Sequence, residues 1–159
     1  MEILERKYVE KDKIIHFLES QWGSRQMVIS SGVFDCSELD GFAAMDDRGT
    51  ICGLVTFIIS GVECEIISLD SRIEGRGTGE ALVNHVEKTA ITKKCSFLKV
   101  ITTNDNLNAL RFYQKRGFIL SKLFQNAIKQ ARKIKPEIPF YGYEGIPVRD
   151  EIKLVKVLM

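Results

Sequence analysis

One stretch of the chain, from Glu63 to Leu82, restricts the fold more than any other. Its first part, Cys64 to Leu69, is mostly apolar and typical of a β-strand, and a polar loop follows it. The loop carries three glycines at alternate positions, Gly75, Gly77 and Gly79. After the glycines, apolar residues recur at four-residue spacing, as expected of a helix with one buried face. The stretch therefore predicts a strand, a glycine-rich loop and a helix in direct succession.

A strand, a glycine loop and a helix in this order can bind a phosphate or a pyrophosphate. The first turn of a helix has backbone N–H groups without intrahelical partners, and the helix dipole adds partial positive charge there. Glycines accept positive φ angles and leave room for a bulky anion. The alternative is a glycine-rich turn that binds nothing, since alternating glycines alone are a weak indication of a ligand.

Two common nucleotide-binding loops do not fit this stretch. A P-loop requires Lys and then Ser or Thr after its last glycine, whereas Glu80 follows Gly79. A dinucleotide-binding loop requires Gly or Ala where Glu80 stands, and no acidic residue ends the next predicted strand. The sequence therefore points to another phosphorylated ligand.

The remaining sequence predicts the order of the other elements. Residues 24–39 give no clear pattern, and the stretch from Lys135 to Pro147, with all three prolines, is predicted to be a long irregular loop. The predicted strands are about Glu2 to Val9, Gly41 to Met45, Thr50 to Ile59, Glu63 to Leu69, Phe97 to Thr102, Phe118 to Phe124 and Glu151 to Leu158. The predicted helices are about Lys11 to Trp22, Gly77 to Lys93, Leu107 to Arg116 and Ala127 to Lys133.

This order of elements predicts an α+β fold built on one mixed sheet. An antiparallel meander comes first, a single parallel βαβ crossover follows, and further strands close the chain. The length of 159 residues, without linkers or repeats, predicts a single domain over residues 1–159. The glycine loop follows the carboxyl end of the strand that enters the crossover, which is where sheets with parallel strands hold ligands.

Charge and composition argue against several other classes of function. The net charge is +2, from 23 basic and 21 acidic side chains, so neither a nucleic acid nor a membrane surface is an expected partner. A local basic cluster lacks interleaved aromatic residues and is interpreted as a solvated helix face; its members are Lys122, Lys129, Arg132, Lys133 and Lys135. The charged N-terminus predicts a cytoplasmic protein, and four widely spaced cysteines predict neither a metal site nor a disulfide framework.

Two sequence blocks together carry a resemblance to a known family. The first runs from Leu69 to Gly79 and is similar to a pyrophosphate loop of pattern Q/R-x-x-G-x-G/A before a helix. The second runs from Asn106 to Phe118 and is similar to the pattern N-x-x-A-x-x-(apolar)-Y-x-x-x-G-F. In this order and at this distance, the blocks resemble the GNAT superfamily of acyl-CoA-dependent N-acetyltransferases. The resemblance covers about Gly41 to Phe118.

The resemblance implies that acetyl-CoA is the co-substrate. Its pantetheine arm would pair with the strand before the loop, and the Leu69 N–H would face the oxyanion, with a bulge near Asp70 and Ser71 splaying the strand. Glu74 departs from the family pattern, because Gln or Arg is usual there. The residues expected to contact the co-substrate are Ile67, Ser68, Leu69, Glu74, Gly75, Arg76, Gly77, Thr78, Gly79, Glu80, Asn106 and Tyr113.

The resemblance also implies an acid and a base for acetyl transfer to an amine. Tyr113 stands where the family often has the tyrosine that protonates the departing thiolate, although it could instead be a packing residue. Glu63 and Glu65 share one face of a strand and are the candidate bases. They could instead form a solvated acidic face, and some family members use only chains of water.

The acceptor implied by the resemblance is a primary amine, most simply one on a small molecule. The loop from Pro136 to Asp150 is aromatic and acidic, with the acidic pair Asp150 and Glu151 at its end, and is expected to help enclose a small cationic amine. A catalytically silent acyl-CoA-binding regulatory module is the alternative function. Homodimers are common in the family, and the sequence does not decide the oligomeric state.

Overall fold

The computed structural model describes residues 1–158 and contains a central sheet of seven strands with helices on both faces. The strands are β1 (Glu2–Glu5), β2 (Gln26–Ile29), β3 (Gly32–Asp35), β4 (Asp40–Met45), β5 (Ile51–Ser60), β6 (Glu63–Ser71), β7 (Phe97–Thr103), β8 (Ile119–Phe124) and β9 (Glu151–Val157). The helices are α1 (Lys11–Trp22), α2 (Thr78–Thr92), α3 (Leu107–Lys115) and α4 (Ala127–Ile134). Within residues 1–158, no helix is long and apolar enough to cross a membrane.

The strand order confirms the predicted mixed sheet. The seven strands follow the order β1-β4-β5-β6-β7-β9-β8, and β2 with β3 forms a separate hairpin. Strands β4, β5 and β6 form the antiparallel meander, and α2 connects β6 to its parallel neighbour β7. The last strand, β9, is inserted between β7 and β8 and is antiparallel to both.

Each face of the sheet has its own apolar core, because apolar residues alternate along the central strands. On one face, α2 presents Leu82 and Val86 to Leu98 and Leu154, all of which are fully buried. The opposite face is covered by α1 and the β2–β3 hairpin. Burying each leucine-sized side chain contributes about 1.5–3 kcal/mol to stability. Helix α1 ends at Gly23, whose φ of 73° and N–H bond to the Glu19 carbonyl are typical of a left-handed C-terminal cap.

The β2–β3 hairpin lies within residues 24–39, for which no element could be predicted from the sequence. Its strands are only four residues long, and its register pairs Ile29 with Gly32 across a turn at Ser30 and Ser31. Such short strands offer too few alternating positions to be recognised from the sequence. The first strand is also shorter than predicted, because residues 6–8 form a 3-10 turn after Glu5.

The parallel pair β6–β7 separates halfway along its length. Its last matched residues are Ile66 and Val100, although β6 continues to Ser71 and β7 to Thr103. On the other side of β6, Phe57 pairs with Ile66 and Thr56 with Ser68, so Ile67 is the extra residue of a β-bulge. The bulge expected near Asp70 and Ser71 is therefore at Ile67. The separated strand ends create the space in which the candidate site lies.

Candidate active site

The glycine loop presents unpaired N–H groups at the start of α2. Gly75 and Gly77 have φ angles of 79° and 77°, which favour glycine, and a Cβ atom at either would meet nothing within 4 Å. The first helical bond runs from the Ala81 N–H to the Gly77 carbonyl. The N–H groups from Gly75 to Glu80 have no hydrogen-bond partner in the part of the chain that the structure describes. The loop is thus open to an anion.

The charged side chains of the loop point into solvent. Arg76 and Glu74 are both exposed and make no ion pair among residues 1–158, so Glu74 leaves the N–H groups accessible. Glu80 pairs with Arg116 of α3 at 3.4 Å. Thr78 is buried, and its hydroxyl contacts the Met1 sulfur at 3.5 Å. The loop therefore offers mainly backbone donors.

Gly79, the last of the three alternating glycines, has a packing role. A Cβ atom there would lie 3.3 Å from the Phe112 ring, which is tighter than an ordinary contact. The small residue thus lets α2 approach α3 closely, and this sets the position of the loop relative to Tyr113, the next residue of α3.

A cavity of about 350 Å³ opens between the separated ends of β6 and β7. One wall is formed by residues 66–69 of β6 and the other by residues 100–103 of β7. Asn106, Ala109 and Tyr113 also line it from α3 and the residue before it. The predicted pantetheine-binding residues Ile67, Ser68 and Leu69 are therefore brought together with Asn106 and Tyr113.

The backbone N–H of Leu69 is directed toward this cavity. The Arg72 N–H donates to the Cys52 carbonyl of β5 at 2.9 Å. Along a strand, successive N–H groups point to opposite sides, so the Asp70 N–H also faces β5 and the Leu69 N–H faces β7. Because β7 has already separated from β6 at this height, the Leu69 N–H is available to a ligand.

Tyr113 is 4% exposed and lies at the cavity wall with its ring between Phe112 and Phe118. Both aromatic contacts are edge-on, with centroid distances of 5.1 Å. Its hydroxyl has no hydrogen-bond partner in residues 1–158, although its ring is firmly packed. Burial, and then the negative charge of Asp70, raise the pKa of Tyr113 above its usual value. The hydroxyl therefore stays protonated near neutral pH and can donate a proton.

Asn106 has a structural bond and a free donor. Its Oδ1 accepts the Ala109 N–H at 3.0 Å and so caps the N-terminus of α3. Its side-chain amide nitrogen makes no hydrogen bond within residues 1–158, and the residue lines the cavity. The cap interpretation is thus correct for the oxygen, while the amide N–H groups can still bind a ligand.

The two predicted bases lie outside the cavity lining. Glu63 forms an ion pair with Lys99 at 3.0 Å and is partly exposed. Glu65 is 8% exposed, accepts a hydrogen bond from the Ser31 hydroxyl at 2.6 Å, and is 4.0 Å from Lys99. Neither is among the residues that line the cavity. Their role as bases stays a prediction.

Two acidic residues that sequence reasoning did not select as bases lie closer to the site. Asp70 follows Leu69 in β6 and accepts a hydrogen bond from the indole N–H of Trp22, which lines the cavity. Burial raises the pKa of Asp70 to about 7. Glu151, the first residue of β9, is buried and lines the cavity, and burial raises its pKa as well. From the sequence, Glu151 was predicted only as part of the acidic end of the amine-enclosing loop, and Asp70 was given no role as an acid or base; position at a strand end is a feature that both residues share.

The loop after α4 contributes to the cavity, but not through its aromatic residues. Phe140 and Tyr141 are largely exposed, whereas Ile138, Pro139 and Val148 line the cavity. The guanidinium of Arg132 fixes the loop by donating to the backbone carbonyls of these three residues at 2.8–3.2 Å. The loop therefore lines the cavity with these apolar side chains and with Glu137, and its role in enclosing an amine stays a prediction.

Comparison with known proteins identifies relatives of this chain. The model of the acetyltransferase (GNAT) family matches residues 5–118. YdhI of Bacillus subtilis (strain 168), described as uncharacterized, is 49% identical over 158 residues, which cover 99% of each chain.

Solved structures share the fold. A GNAT family acetyltransferase from Elizabethkingia anophelis with acetyl-CoA bound has a TM-score of 0.66 at 22% identity, over 77% of this chain and 78% of that one. An aminoglycoside 6'-N-acetyltransferase complexed with coenzyme A has a TM-score of 0.70 at 17% identity, over 100% of this chain and 98% of that one.

Proposed function

This chain belongs to the GNAT family of acetyltransferases, and we propose that it transfers an acetyl group from acetyl-CoA to the primary amine of a small molecule. The observation that carries the proposal is one continuous path of unpaired groups. The path begins at the open N–H groups of residues 75–80, follows the free edge of β6, and ends in the cavity beside Tyr113.

Each part of this path suits one part of acetyl-CoA. The open N–H groups of the loop bind the diphosphate, aided by the dipole of α2. The free edge of β6 at Ile67, Ser68 and Leu69 pairs with the amide groups of the pantetheine arm, as an added strand would. Asn106 donates a hydrogen bond from its side-chain amide. These contacts hold the thioester in the cavity. Because the amine then meets a thioester that is already aligned, the bimolecular reaction becomes effectively unimolecular and faster.

The reaction needs three groups of the protein. The neutral amine nitrogen attacks the thioester carbonyl carbon, a C–N bond forms, and negative charge gathers on the carbonyl oxygen, where the Leu69 N–H stabilises it. The C–S bond then breaks, and the leaving thiolate takes the proton of the Tyr113 hydroxyl. A carboxylate takes one proton from the ammonium form of the amine before the attack, and the second N–H proton returns to the Tyr113 oxygen as the amide forms.

A small-molecule acceptor agrees with the size and enclosure of the cavity. A volume of about 350 Å³ lies within the range of sites for small ligands. The structural neighbour named as an aminoglycoside 6'-N-acetyltransferase has the same fold and an amine as its acceptor, which supports an amine as the acceptor here.

A thiol-release assay combined with calorimetry tests the proposal. We expect heat on adding acetyl-CoA or CoA, and amine-dependent release of free thiol with at least one primary amine of a panel of monoamines, polyamines, aminoglycosides, amino acids and peptides. Reactions without amine give the background hydrolysis. Binding of acetyl-CoA without turnover on any amine would instead favour the silent regulatory module, and absence of binding would refute both.

A further inference from the structure

A buried carboxylate without a cation lies in the cavity, on the face of the sheet that carries the β2–β3 hairpin. Glu151 is 2% exposed and lines the cavity. Its Oε1 accepts hydrogen bonds from the N–H and the hydroxyl of Ser30, at 2.8 Å and 2.5 Å. Its Oε2 has no hydrogen bond, and the side chain has no ion pair, within residues 1–158. One oxygen is thus held in place, and the other is left for a ligand.

No positively charged side chain forms an ion pair with Glu151 within residues 1–158. Glu65 accepts a hydrogen bond from Ser31, the next residue of the hairpin turn, and its negative charge adds to burial in raising the pKa of Glu151. The buried Lys135 ammonium also lines the cavity, but it donates to the Gln26 carbonyl at 2.8 Å. Because a buried carboxylate without a positive partner is costly, the ligand is the expected source of that charge.

The register of the sheet places Glu151 at the height of acetyl transfer. Glu151 pairs with Thr103 in β7. If the β6–β7 register continued beyond the Ile66 and Val100 pair, Thr103 would be opposite Leu69, or one residue away because of the bulge. The Glu151 carboxylate on β9 is therefore level with the Leu69 N–H on β6, and only β7 lies between these two strands.

We propose that Glu151 binds the reacting ammonium group of the acceptor and takes its proton. This inference depends on the proposed acetyl transfer. One N–H proton moves to Oε2, the freed lone pair attacks the thioester carbon, the C–N bond forms, and the C–S bond breaks. The Tyr113 proton passes to the leaving thiolate, and the second proton that the nitrogen loses passes to the Tyr113 oxygen, so that Glu151, Tyr113 and the thiol each end with one proton. Glu151 thus takes the role that the sequence had suggested for Glu63 or Glu65.

The walls beside Glu151 define the class of acceptor. Met27, Val28 and Ile29 of β2 line the cavity, together with Ile128 and the apolar residues of the loop after α4. Two other carboxylates line the cavity: Glu137 is exposed, and Asp105 is half-buried, with Oδ2 accepting the Tyr143 N–H at 3.3 Å and Oδ1 buried without a partner within residues 1–158. A molecule with several ammonium groups would place charge against apolar walls. The apolar lining beside Glu151 therefore favours a monoamine with an apolar aliphatic or aromatic body.

The Glu151→Gln variant tests the assignment, because glutamine keeps an oxygen that can accept both Ser30 bonds while the charge is lost. Glu19→Gln, an exposed change on α1, removes the same charge elsewhere and is the matched control. With 2-phenylethylamine as acceptor, we expect E151Q to lower kcat/KM by about 100-fold or more, since a general base contributes roughly 10²–10⁴-fold. The affinity for acetyl-CoA should stay within twofold.

Two further measurements separate a base from a structural residue. A weakly basic amine such as aniline arrives already neutral, so the loss for E151Q should shrink to less than about 10-fold. Wild-type protein should prefer 2-phenylethylamine to spermidine and kanamycin by at least 10-fold in kcat/KM. An equal loss with both amines, near-normal activity of E151Q, or a preference for spermidine would each overturn the proposal.

The binding of 2-phenylethylamine to the CoA-loaded protein keeps the two proposals distinguishable. By calorimetry, we expect E151Q to bind this amine at least 10-fold more weakly than wild type or E19Q does. If acetyl-CoA binds but the wild type acetylates no amine, the proposed function fails. The calorimetric affinity for 2-phenylethylamine still shows, in that case, whether Glu151 binds the amine. Equal affinity in wild type and E151Q, or no binding to wild type, refutes the role of Glu151.

Discussion

Replacing Asp70 by Asn should change how the stability of the protein depends on pH. Burial raises the pKa of Asp70 from its usual 3.8 to about 7, and the hydrogen bond from the Trp22 indole lowers it only in part. In the folded protein the carboxyl group is therefore protonated at pH 5 and ionised at pH 8. Asn cannot ionise, yet its side-chain oxygen can accept the same indole N–H.

The sign and size of the effect follow from proton linkage. Because the folded pKa is raised, the stability that the proton supplies is fully present below pH 3.8 and is lost as pH rises through about 7. A shift of roughly 3 units at about 1.4 kcal/mol per unit gives an upper limit of about 4 kcal/mol. Between pH 5 and pH 8, about 2–3 kcal/mol of this is expected to be lost from wild type and not from D70N.

Urea unfolding followed by circular dichroism at pH 5 and pH 8 measures this loss. The free energy of unfolding of D70N minus that of wild type should rise by about 2–3 kcal/mol from pH 5 to pH 8, or roughly 5–10 °C in Tm. Glu151 and other titrating groups are common to both proteins and cancel in this difference. A difference that stays constant within about 0.5 kcal/mol would refute the reasoning.

Trp22→Phe is the matched control for this experiment, because it removes the indole N–H that holds the pKa of Asp70 down. Its loss of stability with pH should be steeper than that of wild type and should extend above pH 7. A variant of Trp22 that weakened the pH dependence would contradict the assigned cause.

Three further variants test the co-substrate side of the site. Tyr113→Phe should lower kcat by about 10²–10³-fold and leave acetyl-CoA affinity within twofold, whereas Tyr143→Phe, outside the cavity, should be near wild type in the thiol-release assay. Gly77→Ala, at a φ of 77°, should cost about 1–2 kcal/mol by thermal unfolding and weaken CoA binding in calorimetry. Asn106→Ala removes the cap bond to Ala109 and should cost about 1 kcal/mol as well as weaken CoA binding, and unchanged affinity would restrict Asn106 to its capping role.

Local sequence patterns were enough to predict most of the elements that carry the residues expected to contact acetyl-CoA. Helix α1 was predicted over its observed range because its apolar spacing and Gly23 act within a few residues. The glycine loop and the start of α2 were predicted for the same reason, and so was the cap at Asn106. These features are fixed by neighbours in the sequence, so the sequence alone can reveal them.

The residues that we propose for binding the acceptor are positioned by contacts between distant parts of the chain. Local sequence patterns could not predict these contacts. Ser30 and Glu151 are 121 positions apart, and their hydrogen bonds exist only because β9 is inserted between β7 and β8. Glu65, chosen from its position on a strand face, is held by Ser31 and Lys99 outside the cavity. Side-chain alternation gave the correct face of the sheet, but it could not show which carboxylate reaches the cavity.

Three kinds of groups along the cleft have no partner within residues 1–158, and each kind predicts a charge on the ligand. The N–H groups of residues 75–80 favour an anion, the Leu69 N–H favours an oxygen that becomes negative during the reaction, and the Glu151 carboxylate favours a cation. An unpaired polar group in a folded protein is unfavourable until a ligand pairs it. A diphosphate, a thioester and an ammonium group meet these three requirements in the order in which they occur along the cleft, and for this reason acetyl transfer to a cationic amine is the reaction that we propose for the site as a whole.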